Sequence, residues 1–202
     1  MRPAPGPLSP GGGPRLPSAP VSFGEALARG NGLHGRGFRK WAFHPAMLFG
    51  SPRKWWGEGG PRPNPHEGLD FLFFRSAQGV EEGISRGSVV PAAFDGEVAR
   101  LEKDFIGQTL YVRHGLAEGD GRRLFTIYGH TAPLAGLGPV AAGEVVAKVA
   151  GGAPVKPHLH LSLALVPDSL PVEALSWRTM AAAPEVELLD PLCLVPDYEI
   201  LD

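Results

Sequence analysis

The sequence predicts a mainly β protein with an antiparallel core, and three observations lead there. Its 202 residues include 28 glycines and 22 prolines, about a quarter of the chain, which favours short strands and turns over long helices. From residue 69 onward, short runs rich in leucine, β-branched and aromatic residues alternate with turn residues. Only two stretches carry a helical pattern, and both are short.

The chain opens with MRPAPGPLSPGGGPRLPSAP, where eleven of twenty residues are Pro or Gly and almost nothing can pack, so residues 1–20 read as a disordered tail. Ser22-Phe23-Gly24-Glu25 has the spacing of a capping box, and Ala26-Leu27-Ala28-Arg29 stops at Gly30, which predicts one short helix. Between Gly30 and Pro65, Phe38, Trp41, Phe43, Phe49, Trp55 and Trp56 are scattered among glycines and prolines with no clean period. That stretch is expected to be ordered but irregular.

Strands are then predicted at Leu69–Phe74, Glu97–Leu101, Gln108–Arg113, Leu124–Tyr128, Val145–Val149 and Leu159–Val166. Pro171–Ala183 reads as a second helix stopped by Pro184, and Val186–Asp202 as a strand or extended wrap. The expected organisation is a tail (1–20), an N-terminal extension packing on the core (21–61), a core domain (62–166) and a C-terminal extension (167–202). Gly96-Glu97-Val98 and Gly143-Glu144-Val145 with their flanking valines suggest a hybrid β-sandwich, as in lipoyl and biotinyl carriers, but the lysine-bearing hairpin of a carrier is absent.

Composition narrows the function. Hydrophobic residues make up 43% of the chain and charged residues 20%, as in ordinary globular proteins. Nineteen basic residues face 21 acidic ones with no basic stripe, so nucleic acid is not an expected partner. Cys193 is the only cysteine, which rules out an intrachain disulfide and a thiolate metal cluster; a metal would have to use His, Asp or Glu. No stretch approaches the roughly 18 apolar residues of a membrane span, and the first twenty residues lack the apolar segment of a secretory signal.

Among the seven histidines, His66 in His66-Glu67-Gly68-Leu69-Asp70 and the pair in Pro157-His158-Leu159-His160 stand out. Successive residues of a strand point to opposite faces, so Leu159, Leu161, Leu163 and Leu165 would share one face and His158, His160 and Ser162 the other. Two imidazoles would then stand on a strand anchored by leucines. Zinc takes imidazole nitrogen and carboxylate oxygen, usually three protein ligands with room for water, and two histidines with Asp70 meet that count. Asp70 also opens a strongly apolar run, where an unpaired carboxylate is costly and a cation would neutralise it. The helical His-Glu-x-x-His motif does not apply, because position 70 is Asp and Gly68 weakens a helix. Glu67 is expected in solvent, His34 and His44 in loops, His114 in a structural or cleft-edge role and Tyr128 in the core.

His66-x-Gly68-x-Asp70, Tyr128-Gly129-His130 and Pro157-His158-Leu159-His160, in that order, resemble the LytM/lysostaphin-type zinc endopeptidases. Val90-Pro91-Ala92, Gly96-Glu97-Val98, Gly107–Gly115 and Gly143–Ala147 are similar to the family's strands and turns, so the resemblance spans roughly residues 62–166. It departs after His160, where Leu161-Ser162 replaces the family's aromatic-acidic ending, and in the short glycine-rich stretch before the His pair. The resemblance implies an antiparallel sheet with an open cleft, zinc on His66, Asp70 and His160, and catalytic roles for His158 and His130. It further implies a peptidoglycan peptide substrate and a place in the cell envelope or outside the cell. The family also includes members that do not hydrolyse and instead activate other wall enzymes; these have lost ligands, and here all are kept.

Overall fold

A computed structural model describes residues 16–116, 121–151 and 155–201. Residues 1–15 of the expected tail lie outside the described residues, and residues 16–20 correct its boundary, because Leu16 and Ala19 pack against the core. Helix α1 (Phe23–Gly30) forms where the capping pattern predicts it. The Ser22 hydroxyl accepts from the Glu25 N–H at 3.4 Å, while the Glu25 carboxylate turns to Arg29 and His34, so half of the capping box is made. Phe23, Leu27 and Ala28 bury the inner face. Asn31 ties the helix end to a strand: its amide donates to the carbonyls of Leu27 and Val89 and its oxygen accepts from the Val89 N–H.

The strands are β1 (Phe38–Phe43), β2 (Leu69–Phe71), β3 (Phe73–Ser76), β4 (Glu81–Gly83), β5 (Val89–Pro91), β6 (Gly96–Lys103), β7 (Gln108–Leu116), β8 (Arg122–Pro133), β9 (Gly138–Val140), β10 (Val145–Val149), β11 (Leu159–Pro167), β12 (Glu187–Leu189) and β13 (Tyr198–Ile200). The large sheet runs β12-β11-β8-β7-β6-β9, with β2 also on β11 and β10 joining β8 to β5. The small sheet runs β13-β1-β3-β4. The mainly β class and the antiparallel pairing are those expected, apart from the parallel pair β1 and β13.

Three expectations about the strands and helices need correcting. Residues 30–65 are not irregular throughout, because Phe38–Phe43 forms β1 between β3 and β13. The run Leu69–Phe74 is two strands: the chain leaves β11 after Phe71, passes Leu72 and joins the small sheet as β3. The second helix is shorter than predicted, with a 3-10 turn at Val172–Ala174 and α2 only at Trp177–Ala182, where the Ser176 hydroxyl caps the Thr179 N–H.

Strand β11 is buried on both faces, which sets the site's position. Leu159, Leu161, Leu163 and Leu165 enter the main core with Trp41, Phe43 and Phe74 of the small sheet. On the opposite face Ala164 and Val166 join Phe125, Ile127 and Tyr111 under Leu175, Met180 and Val186 of the C-terminal segment. His160 and Ser162 continue this second face toward the start of the strand, so apolar packing on both sides fixes the strand that carries them. Truncating one of the core leucines to alanine would cost about 2–5 kcal/mol.

Candidate metal centre

Register aligns the site. Asp70 on β2 lies directly across from His160 on β11, and His160 lies across from Gly129 on β8. Gly68 makes the close approach possible: a Cβ there would come within 2.3 Å of the Leu161 carbonyl oxygen and 2.7 Å of His160 Nε2. Gly129 does the same for the indole of Trp177, whose ring stands edge-on to His160 with centroids 4.8 Å apart.

The structure brings His66, Asp70 and His160 into one buried cluster. His160 Nδ1 is 2.9 Å from Asp70 Oδ1, His66 Nε2 is 3.1 Å from His160 Nδ1, and His66 Nε2 is 3.2 Å from Asp70 Oδ1. A tetrahedral zinc with ligands at about 2.0–2.1 Å would hold them about 3.3 Å apart, close to this triangle.

The outer hydrogen bonds point the same way. His66 Nδ1 donates to the Leu48 carbonyl at 3.0 Å, so Nε2 turns a lone pair inward. The Ser162 hydroxyl, 2.9 Å from His160 Nε2, can accept its proton and leave Nδ1 as a lone pair. The Trp55 indole donates to Asp70 Oδ2 at 2.6 Å, leaving Oδ1 to the cluster, and the Arg62 guanidinium lies 3.6 Å from the same Oδ2. Three acceptor atoms thus converge, an arrangement that suits a cation, with partners on the far side of each group as metal-bound histidines and carboxylates require. Burial alone would push the Asp70 carboxyl up; the neighbouring imidazoles of His66, His158 and His160 outweigh it and hold the group well below the usual carboxylate range. Burial pushes the His160 and His158 imidazoles down, toward the neutral form that binds metals and accepts protons.

His158 and His130 stand beside the cluster and not within it. His158 Nε2 is 3.8 Å from Asp70 Oδ1, and its Nδ1 donates to the Lys156 carbonyl at 2.8 Å, which leaves Nε2 free of a proton. The His130 ring centroid is 4.8 Å from that of His158 and 5.9 Å from that of His160. Asp70, His130, His158 and His160 line a cleft of 300 Å³ with Trp56, Arg62, Glu67, Phe105 and Trp177. A larger groove of 1040 Å³ shares Trp56 with this cleft but touches none of the five site residues.

The remaining histidines fall away from the cleft. His114 is buried, donating through Nδ1 to the Asp95 carbonyl at 2.8 Å and pairing through Nε2 with the Thr126 hydroxyl. His34 lies in a 3-10 turn and His44 just before another. Tyr128 is core, its hydroxyl accepting from the Ala93 N–H. Glu67 is half-buried at the cleft wall, not free in solvent as expected. Sequence reasoning placed Ser162 on the histidine face, where it meets His160, but missed Trp55, Arg62, Asp104 and Trp177. The adjacent tryptophans of Arg53-Lys54-Trp55-Trp56 were visible as a signal, but no period assigned them a partner.

Fold and site together define a mainly antiparallel β protein with a buried two-histidine, one-carboxylate group able to hold a metal ion. No family model matches the sequence, and no curated protein matches it. A similar solved structure is the catalytic domain, carrying a point mutation, of the prophage-encoded M23 protein EnpA from Enterococcus faecalis, at 26% identity over 59% of this chain and 85% of that one. The TM-score is 0.37.

Proposed function

We propose that the chain is a zinc-dependent endopeptidase that hydrolyses peptide bonds in bacterial peptidoglycan peptides or cross-bridges. The observation that carries this reading is the triangle of His66 Nε2, Asp70 Oδ1 and His160 Nδ1, 2.9–3.2 Å on a side, with two further histidines on the same cleft wall. The peptidoglycan substrate rests on the ordered motifs that resemble the LytM/lysostaphin type, and it would put the working protein in the cell envelope or outside the cell. Among the described residues no helix is long and apolar enough to cross a membrane.

Bound by these three residues, zinc would polarise the scissile carbonyl and lower the pKa of water to about 7. The rest of the chemistry belongs to the chain's own side chains. His158 offers an unprotonated Nε2 beside the cluster, the atom placed to take a proton from the attacking water. The same atom returns it to the amine nitrogen as the carbon–nitrogen bond breaks. His130 lies across from His158 and would orient the attacking water in the cleft by accepting a hydrogen bond from it. Trp56, Phe105 and Trp177 provide an apolar rim that restricts water around the reacting bond.

Purified protein supplied with zinc should release soluble peptides from cell-wall peptidoglycan, and both a chelator and His158→Ala should stop the release. Zinc-loaded protein that releases nothing while stimulating a second wall hydrolase would establish the non-hydrolytic activator reading in its place.

A further inference from the structure

We propose that Asp104 is a positioning residue for His130, fixing its ring and placing its proton on Nδ1 so that Nε2 is the atom offered to the cleft. The catalytic consequence deepens the peptidase reading and rests on it; the position of the proton does not.

Asp104 follows β6 and begins the turn into β7. Its side chain is 1% exposed, and four donors converge on it. Oδ1 accepts from the Ile106 N–H at 2.9 Å, and Oδ2 accepts from the Thr109 hydroxyl at 3.1 Å and from the His130 backbone N–H at 2.8 Å. Oδ2 also faces His130 Nδ1 at 3.3 Å. Burial would raise this carboxyl, but the hydrogen bonds to His130 overcome it and hold the group well below its usual range, so it stays an acceptor. An ionised carboxylate only accepts, so the imidazole nitrogen facing it carries the proton.

Backbone geometry supports the assignment. His130 is the one non-glycine residue with positive φ among the described residues, at 63°, a left-handed conformation that L-residues seldom adopt. Strained backbone of this kind persists where surrounding contacts determine it, and it clusters at active sites. Here the same carboxylate oxygen holds both the backbone N–H and the ring of the strained residue. Thr109, which anchors Asp104, also accepts from the Trp177 indole at 3.1 Å, and that ring stands against His160. One chain of contacts thus runs from the candidate metal cluster through Trp177, Thr109 and Asp104 to His130.

The test uses the full zinc-loaded chain. In Asp104→Asn the NH2 opposes either the Ile106 N–H or the three donors at Oδ2, and in both orientations the carboxylate charge that holds the His130 ring is lost. Cleavage of peptidoglycan peptide should fall about 10–100-fold in kcat, the loss expected from a misplacement near 1 Å, with KM changed less than about threefold. Zinc content should stay at the wild-type value. Asp104→Asn combined with His130→Ala should be no slower than His130→Ala alone, since residues acting as one unit are not additive. Full additivity, or wild-type kcat in Asp104→Asn, would overturn the proposal. Nitrogen-15 NMR of the wild type gives an independent reading: His130 should be protonated at Nδ1, and an unprotonated Nδ1 would refute the assignment even if the variant fails to fold. A wild type that cleaves no peptide but shows the Nδ1 proton would defeat the peptidase reading while leaving the Asp104 contact standing.

Discussion

Trp55→Phe removes one hydrogen bond from the outer side of the metal cluster and keeps an aromatic ring in place. The indole N–H donates to Asp70 Oδ2 at 2.6 Å, and the Asp70 side chain is 2% exposed, so water cannot readily replace it. Arg62, the other donor group near that oxygen, lies at 3.6 Å, beyond a direct hydrogen bond. A hydrogen bond to a charged group contributes about 1.5–3 kcal/mol. Converted to affinity, that is about 10–150-fold, in line with the roughly 10–100-fold usual for the outer partners of metal ligands. Competition with a chromogenic chelator, run on wild type and Trp55→Phe, measures the zinc Kd directly. A Kd within twofold of wild type would refute the reasoning that this indole assigns Oδ1 to the metal.

Two further perturbations follow from the same geometry. Gly68→Ala would set a methyl group 2.3 Å from the Leu161 carbonyl oxygen and 2.6 Å from the Ser162 hydroxyl, forcing β2 away from β11. It should cost about 1–3 kcal/mol of stability by urea unfolding and most of the zinc binding. Buried His114 has its pKa lowered, by burial first, against the opposing pull of the Asp95 carbonyl. Its unfolded form protonates near pH 6.5, so its contribution to stability is complete above about pH 6.5 and is lost as pH falls through that value toward the lower folded pKa. Urea midpoints measured at pH 7.5 and 5.5 should therefore drop on acidification, and His114→Gln should lessen that drop.

How much was legible in the sequence varies with the range of the interaction. The alternation in Leu159–Leu165 gave the strand and its two faces, because a strand's period is local. His66-x-Gly68-x-Asp70 was legible for the same reason, and Gly68 proves to be the residue whose missing Cβ lets β2 lie against β11. The turn of the chain at Leu72 was not legible, since Leu69–Phe74 is apolar throughout apart from Asp70 and its division depends on which sheet each half joins. Nor was β1, whose neighbours are β3 and the far C-terminal β13. The outer partners Trp55, Arg62 and Asp104 reach the site from irregular segments, where no repeat links a residue to what it touches. Asp104 would have read as an ordinary turn carboxylate, and the Ile106 N–H does bond to it as in such a turn.

The most direct measurement of the central claim is elemental analysis of metal in the purified chain and in four alanine variants. One zinc per chain in the wild type and in His158→Ala, with loss in His66→Ala, Asp70→Ala and His160→Ala, is the predicted result. A wild type that holds no zinc when it is supplied, or a His160→Ala that retains it while His158→Ala does not, would contradict the account.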